Sequence, residues 1–406
     1  MNSLAKDSKI WQWAIFSFII AGLTGFLYRL GFVTSLPFEL NLENVRHAHS
    51  HLMFFGWASL LPLYLIKVRM VPGYHAAIGV KLMKGALWSV LVFGILSYPF
   101  FMIWGYRSVP VGEAFLPLST ILSGLVMIGW YAFMIGYIIT RVKKSDHSPN
   151  VWFEAALVML FISSLGAWGV GTVEMLDLGG PLFGKALTHF FLATFVEGWV
   201  VLVLLGLISE SLKLNEEDYV ISPTILAGLI ACGAPLTFPY GISESMMDLN
   251  LSVTARIGGI LIAEGVLLFL YSILQRKDKI QKIWLWPLAL LALKSLMQLI
   301  AAVMPADLWL SEHSIRILYL HVLLLGSFTL GVVAYMSREA DLHPVYFYGL
   351  VLSVMLLLIS LIWMTSLWPL FLSGVWIYTA MAAIAIVPVF AMLWFWFGIR
   401  RTIQKL

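Results

Sequence analysis

The chain has almost no cysteine and little charge for its length. A single cysteine among 406 residues, Cys232, excludes an intrachain disulfide, a CxxC redox pair and a cluster of thiolate ligands. Charged residues make up 11% of the sequence and hydrophobic residues 61%, whereas soluble domains are roughly 25% charged. These deficits predict a polytopic membrane protein in which any metal is held by nitrogen or oxygen ligands. The net charge of +4 indicates no nucleic-acid partner, because most basic residues lie in short loops between apolar runs.

Twelve apolar runs are long enough to cross a lipid bilayer, so we expect a single all-α transmembrane domain over residues 1–406. The predicted helices are 11–34, 47–66, 86–106, 115–140, 151–171, 186–208, 221–243, 253–275, 283–304, 314–337, 346–366 and 369–398. Only Trp368 and Pro369 separate the last two. By the positive-inside rule the basic loops place both termini in the cytoplasm, and the first run lacks the small-residue cleavage site of a signal peptide. We expect a multi-pass protein of a bacterial inner membrane.

Six of the nine histidines lie near the outer ends of the second, sixth and tenth predicted helices, which are spaced four helices apart. They are His47, His49, His51, His189, His313 and His321. Histidine is rare in membrane-spanning segments and is the commonest protein ligand for metals and haem iron. The pattern predicts a metal or haem site inside a helical bundle. The other three, His75, His147 and His343, fall in predicted inner loops, where we expect them to be solvated.

The spacing within the second helix separates its three histidines. His47 and His51 are four residues apart and share a helix face, whereas His49 points about 200° away from both. Hydrated histidines at the membrane interface are the alternative interpretation. Gly56 and Gly326 each follow a histidine by five residues, and a small residue there leaves room for a flat macrocycle or a close helix. For His321 by itself, a hydrogen bond to a neighbouring helix is an equally good explanation.

A carboxylate lies about two turns below His189 on the sixth helix. Glu197 cannot be buried bare, so it must pair, coordinate a metal or be protonated. A proton relay, a metal ligand and a structural hydrogen bond all remain open. Glu264 in the eighth helix raises the same question, and we expect Lys294 in the ninth helix to be paired or to extend toward the membrane surface.

Twelve helices with histidines at the outer ends of helices two, six and ten resemble the catalytic subunit of the haem–copper oxidase superfamily, which includes the nitric oxide reductases. Residues His49–Trp57 resemble the bis-histidine segment of those proteins, and Phe195–Trp199 is similar to the sixth-helix glutamate motif of nitric oxide reductases. The chain also resembles the NnrS family of haem- and copper-containing membrane proteins. That likeness rests on chain length, the His-Ala-His start of helix two and a tenth-helix histidine followed by a loop bearing Arg338.

The resemblance implies a bundle of four-helix units with pseudo-threefold symmetry, a haem b and a second metal, either copper or non-haem iron. It implies oxidoreductase chemistry of the oxidase or nitric oxide reductase kind, with O2 or NO as the small ligand and a cytochrome or quinol as the electron donor in the lipid bilayer. Haem ligands are expected among His47, His51, His313 and His321, and the second metal near His49, His189 and Glu197, with Glu197 also as the catalytic residue.

The sequence also departs from the oxidase pattern at three places. Ala193 stands where the reductase motif has a histidine one turn before the glutamate, residues 231–240 of the seventh helix contain no histidine, and Leu323 replaces the second histidine of the tenth helix. We therefore expect an incomplete dinuclear site. Two other classes of function stay open: a proton-coupled secondary transporter, for which twelve helices are also suitable, and an assembly or sensor protein that binds haem without turnover.

Overall fold

The structure is a computed structural model that describes residues 8–70, 78–142, 151–176, 178–242, 246–304 and 313–404. It is almost entirely helical, with one short antiparallel hairpin, β1 (Val109–Val111) and β2 (Ala114–Leu116). Eight helices are continuous: α1 (Ser8–Leu30), α3 (Ile78–Trp104), α4 (Leu118–Val142), α5 (Val151–Leu176), α7 (Pro223–Leu236), α8 (Leu249–Gln275), α9 (Leu285–Val303) and α11 (Pro344–Ile362). The remaining four helices are interrupted. They are α2 (Leu42–Leu52, Met53–Ser59 and Leu60–Met70), α6 (Pro181–Ala193, Thr194–Val200 and Val201–Ser211), α10 (His313–His321, Val322–Thr329 and Leu330–Glu339) and α12 (Trp376–Ala385 and Val387–Gln404).

Within the described residues, eleven of these helices are long and apolar enough to cross a membrane. The protein is therefore an all-α polytopic membrane protein, as its composition predicts. The seventh predicted span, 221–243, is shorter in the structure: α7 has 14 residues and is followed by a 3-10 turn at Phe238–Gly241. Pro239 lies in that turn, and proline has no N–H with which to continue a helical ladder.

Several predicted helix boundaries differ from the structure, among them the start of α2 and the gap between α11 and α12. Helix α2 begins at Leu42 rather than at residue 47, because Asn41 caps it: its side-chain oxygen accepts hydrogen bonds from the N–H groups of Glu43 and Asn44. The first histidine therefore lies inside the helix rather than at its start. Helices α11 and α12 are separated by a non-α-helical stretch over residues 363–375 rather than by two residues.

The chain forms two compact units. The first contains α1 to α4, the last three residues of α10, α11 and α12, and the second contains α5 to α9 and α10 as far as Met336. In the first unit α3 and α4 form a hairpin joined by β1 and β2. In the second unit α8 packs against both α7 and α9, and the middle segments of α6 and α10 contact each other.

Helices α2, α6 and α10 share a feature that the other described helices lack. Each contains a π-helical segment of seven or eight residues, Met53–Ser59, Thr194–Val200 and Val322–Thr329. Each segment also contains a buried glycine: Gly56, Gly198 and Gly326. The apolar windows of these helices are 83%, 89% and 72% buried, against at most 56% for any other candidate span. Because π-helical turns are rare and concentrate at functional sites, these segments single out the same three helices as the histidines do.

Candidate functional site

A buried network of charged and polar groups lies in the second unit, around Glu197 of the π-helical segment of α6. The Glu197 carboxylate is 2.5 Å from the Lys294 ammonium of α9 and accepts a 2.5 Å hydrogen bond from the Tyr319 hydroxyl of α10. Lys294 also donates to the side-chain oxygen of Gln298 at 2.7 Å. Lys294 is 0% exposed, Gln298 4% and Glu197 5%. Burial of either charge by itself would be prohibitive, so each is retained only because the other neutralises it.

The network forms part of the wall of a cavity of about 400 Å³. Glu197, Gln298 and Tyr319 line it, while most of the remaining wall is apolar. Five further polar residues line the cavity: His189, Thr237, Tyr240, His313 and Arg316. The structure thus brings His189, His313 and Glu197, which were expected in a haem or metal site, to one cavity in the second unit.

The position of His189 depends on a glycine in the turn after α7. A Cβ atom added to Gly241 would lie 2.0 Å from Nδ1 of His189, far inside van der Waals contact. The 3-10 turn Phe238–Gly241 therefore has room for the imidazole only because residue 241 has no side chain. The same turn is held by Arg316, whose Nη1 donates to the Tyr240 carbonyl at 3.1 Å.

In the first unit, His47 and His51 lie on one face of α2 and contact the same tyrosine. The His51 Nε2 atom is 2.7 Å from the Tyr106 hydroxyl, and the ring of His47 packs against the edge of Tyr106 at a centroid distance of 4.7 Å. The His51 ring also stacks on Phe101, with centroids 3.8 Å apart. Its Nδ1 atom is buried and has no hydrogen-bond partner among the residues that the structure describes.

His49 points to a different helix, as the helical spacing predicts. Its Nδ1 atom is 2.6 Å from the carbonyl oxygen of Ala21 in α1. A carbonyl only accepts, so Nδ1 carries the proton and the lone pair of the imidazole lies on Nε2. Gly25 makes room for the ring, because a Cβ there would lie 3.0 Å from the His49 ring.

His321 has the same arrangement on α10 in the second unit. Its Nδ1 is 2.8 Å from the carbonyl oxygen of Ile317, one turn earlier in the same helix, which again fixes the proton on Nδ1 and the lone pair on Nε2. Histidines that ligate metals are commonly oriented in this way, by donation from the other ring nitrogen to a carbonyl or carboxylate. His49 and His321 are therefore the two predicted residues whose ring tautomer suits an axial ligand.

The surroundings of Glu197 differ from those of a metal ligand, because the Lys294 ammonium already lies against its carboxylate. In the described part of the chain, no three His, Cys, Asp or Glu side chains lie close enough together to hold one metal ion. The second metal near His49, His189 and Glu197 stays a prediction. His343 caps α11 by accepting from the Val345 N–H, whereas His75 and His147 lie outside the described residues.

A second ion-pair cluster lies outside the membrane-spanning segments, in the loop after α6. Asp218 accepts from Lys279 at 2.6 Å and from the Asn215 N–H at 2.7 Å, and pairs with Arg276 at 2.9 Å. The hydrogen bond from Lys279, followed by that from Asn215, lowers the pKa of the Asp218 carboxyl below its usual value. Because Asp218 follows α6 in the chain whereas Arg276 and Lys279 follow α8, this aspartate ties the α6–α7 loop to the α8–α9 loop.

Three residues of the second-unit site were absent from the sequence predictions: Gln298, Tyr319 and Arg316 in its role at the cavity. A sequence signal exists for Gln298, since it follows Lys294 by four residues and therefore shares its helix face. Tyr319 is two residues before His321, but nothing local indicates that it contacts Glu197, 122 positions away. A search of protein-family models finds no match for this chain, and a search of curated proteins finds no match either.

Proposed function

We propose that this chain is a membrane-embedded haem protein of oxidase-like plan that takes part in redox or small-gas chemistry. One observation carries the proposal: the three helices that bear the outer histidines, four helices apart, are the three that contain a buried, glycine-bearing π-helical segment. A helical bundle built only for packing has no reason to repeat a rare backbone feature at that interval. The proposal includes cytoplasmic termini, which the basic loops indicate, and a location in a bacterial inner membrane.

Two imidazoles are suited to haem iron. In His49 and His321 a backbone carbonyl holds Nδ1, so the lone pair of each ring lies on Nε2, the atom through which such a histidine ligates a metal. We therefore favour His49 over His47 and His51 as the ligand from α2, because His51 Nε2 faces Tyr106 and His47 Nε2 lies 3.7 Å from Glu43. A haem b bound at either of these imidazoles would supply a redox-active iron able to bind O2 or NO.

The buried residues beside the cavity would bind and transfer protons. They would not hold a second metal. Glu197, Lys294 and Tyr319 exchange hydrogen bonds in a buried site, and all three side chains can gain or lose a proton. Glu197 remains our proposed catalytic residue in that sense, as the group that would accept or deliver a proton at the cavity. Copper or non-haem iron is not part of the proposal, because the donor set around Glu197 does not suit it.

The test is the visible spectrum of the detergent-purified protein, with haem and metal quantified on the same sample. A Soret band that shifts on reduction, with haem b extracted in stoichiometric amount, is the expected result. A colourless preparation free of iron would contradict the proposal. Carbon monoxide or NO added to the reduced protein should change the spectrum if the iron has an open position, and leave it unchanged if both axial positions are occupied.

Proton-coupled transport is the second candidate, and it is favoured by the Glu197–Lys294 pair beside a cavity. Glu264, exposed on α8, adds a further ionisable group in a membrane span, and such groups often mark ion pathways. Under this alternative, proteoliposomes containing a colourless protein would take up protons together with a solute. A coloured protein with no such uptake would exclude it, and a coloured protein without catalytic turnover would indicate an assembly or sensor role.

A further inference from the structure

The cavity of the second unit carries a positive charge that no described carboxylate balances. Arg316 is the fourth residue of α10 and lines the cavity. Its Nη1 atom donates to the carbonyl oxygen of Tyr240, which is a neutral partner. In the part of the chain that the structure describes, no carboxylate lies within ion-pair distance of the guanidinium. Because an arginine is not deprotonated in proteins, this charge is permanent.

One edge of the Arg316 guanidinium is suited to a ligand. Its Nε atom is buried and has no hydrogen-bond partner within the described ranges, and a buried donor without a partner costs free energy. Nη1 is engaged by Tyr240, so the edge formed by Nε and Nη2 is the one that can receive an anion. The planar fork of an arginine matches the two oxygens of a carboxylate. A carboxylate there would remove the cost of the unpaired donor.

The other polar groups of the cavity wall do not supply the missing negative charge. Glu197 is the one carboxylate among the described residues of the wall, and it is already engaged by Lys294 and Tyr319. His189 and His313 also line the cavity, and an imidazole is either neutral or positive. The described wall is therefore positive overall, and a cleft lined by one sign of charge attracts ligands of the opposite sign.

The apolar part of the wall indicates what kind of molecule carries the negative charge. Val196 of α6, Met297 of α9 and Leu320 of α10 line the same cavity, whose volume of about 400 Å³ lies in the range of small-molecule sites. These side chains cannot solvate a small inorganic anion, whereas a hydrocarbon chain gains free energy when it is buried against them. His313, at the start of α10, is exposed and lines the cavity, which indicates an opening to the surface there.

We propose that this cavity binds a single-chain aliphatic carboxylate, with a carboxylate oxygen accepting from Nε of Arg316 and the hydrocarbon chain against the apolar wall. A singly charged head is favoured over a phosphate dianion, because Arg316 is the one permanent cation among the described lining residues. Haem also carries carboxylates on an apolar body, so the test must separate these two sources. The proposal goes beyond the haem proposal and does not depend on it.

The test is calorimetric titration of decanoate into the full-length protein in an uncharged detergent. One saturable site is expected in the wild type, and decan-1-ol, which has the same chain without the charge, should bind at least about tenfold more weakly. Arg316→Gln should weaken decanoate binding about ten- to a hundredfold, the change that loss of a hydrogen bond between charged groups produces. Arg107→Gln is the matched control and should bind decanoate as the wild type does. Arg107 is an exposed arginine of the first unit that also donates to a backbone carbonyl.

Unchanged decanoate affinity in Arg316→Gln, absence of saturable binding in the wild type, or equal affinity for decan-1-ol would each overturn the proposal. Decanoate binding to haem-free protein but not to haem-loaded protein would assign Arg316 to a haem propionate and would overturn it as well. If Arg316→Gln does not fold, photolabelling of the wild type replaces it: a decanoate with a diazirine on its chain should label α6, α9 or α10, and labelling confined to other helices contradicts the site. Both measurements detect carboxylate binding directly, so their failure is distinguishable from a failure to find haem.

Discussion

The two units differ in the kind of chemistry that their polar groups allow. In the first unit, the imidazoles of His49 and His51 on α2 contact neutral partners, a backbone carbonyl and a tyrosine. In the second unit, a carboxylate and an ammonium are buried against each other beside a cavity. Neutral imidazoles can ligate a metal, whereas a buried ion pair holds charge and exchanges protons. The same histidine-bearing, π-interrupted type of helix therefore occurs in both units with different neighbours.

The largest expected effect is in the second unit. Lys294→Met leaves the Glu197 carboxylate buried without its counter-charge, and removal of one partner from a buried pair costs about 3–5 kcal/mol. Glu197→Gln combined with Lys294→Met removes both charges and should restore most of that stability. Thermal unfolding in detergent measures both variants. A double variant as unstable as Lys294→Met would show that the pair is not the reason for the loss.

Substitution of one tyrosine in each unit allows a direct comparison of the two units. Tyr319→Phe removes a buried hydrogen bond to a carboxylate and should cost about 2 kcal/mol, whereas Tyr106→Phe removes a more exposed bond to a neutral imidazole and should cost about 0.5 kcal/mol. Chemical unfolding of the two variants, measured side by side, gives the ratio of their losses in unfolding free energy. Equal losses would mean that the second-unit network is no more tightly coupled than the contact in the first unit.

Gly241→Ala tests how His189 is held. The added Cβ would lie 2.0 Å from the imidazole, so the ring or the turn must move, and overpacking of this kind costs about 1–3 kcal/mol. Gly184→Ala is the matched control on α6, because a Cβ there meets nothing within 4 Å and alanine favours the helix. Comparable melting temperatures for the two variants would mean that the His189 ring does not lie against residue 241.

The smallest expected effect concerns the ion pairs of Asp218 in the loop after α6, in contrast with the buried Glu197–Lys294 pair. The pKa of Asp218 is lowered by Lys279 and Asn215, so its contribution to stability is present above its unfolded-state pKa and is lost as the pH falls through the folded value. Asp218→Asn should flatten the fall in unfolding free energy below about pH 4. Asp278 is exposed and lies in sequence between Arg276 and Lys279. As the control, Asp278→Asn should leave the pH dependence of the unfolding free energy as it is in the wild type.

The all-α polytopic membrane character followed from the sequence because it depends on local properties. Composition and apolar run length identify spans, and the histidine spacing singled out α2, α6 and α10. The π-helical segments were not predictable, since only Gly56, Gly198 and Gly326 hint at them and glycine is common elsewhere in the chain. Burial cost indicated that Glu197 needs a partner, but its partner Lys294 lies 97 positions away on another helix. Long-range pairing of this kind has no periodic signal.

The most direct test of the account is the reduced-minus-oxidised visible spectrum of His49→Ala beside that of His51→Ala, both in membranes with the wild type. We expect a haem b spectrum in the wild type, its loss or shift in His49→Ala, and its retention in His51→Ala, because His49, unlike His51, is held by a backbone carbonyl with Nε2 as the acceptor atom. An unchanged spectrum in His49→Ala, with loss in His51→Ala, would contradict the assignment, and a colourless wild type would contradict the haem itself.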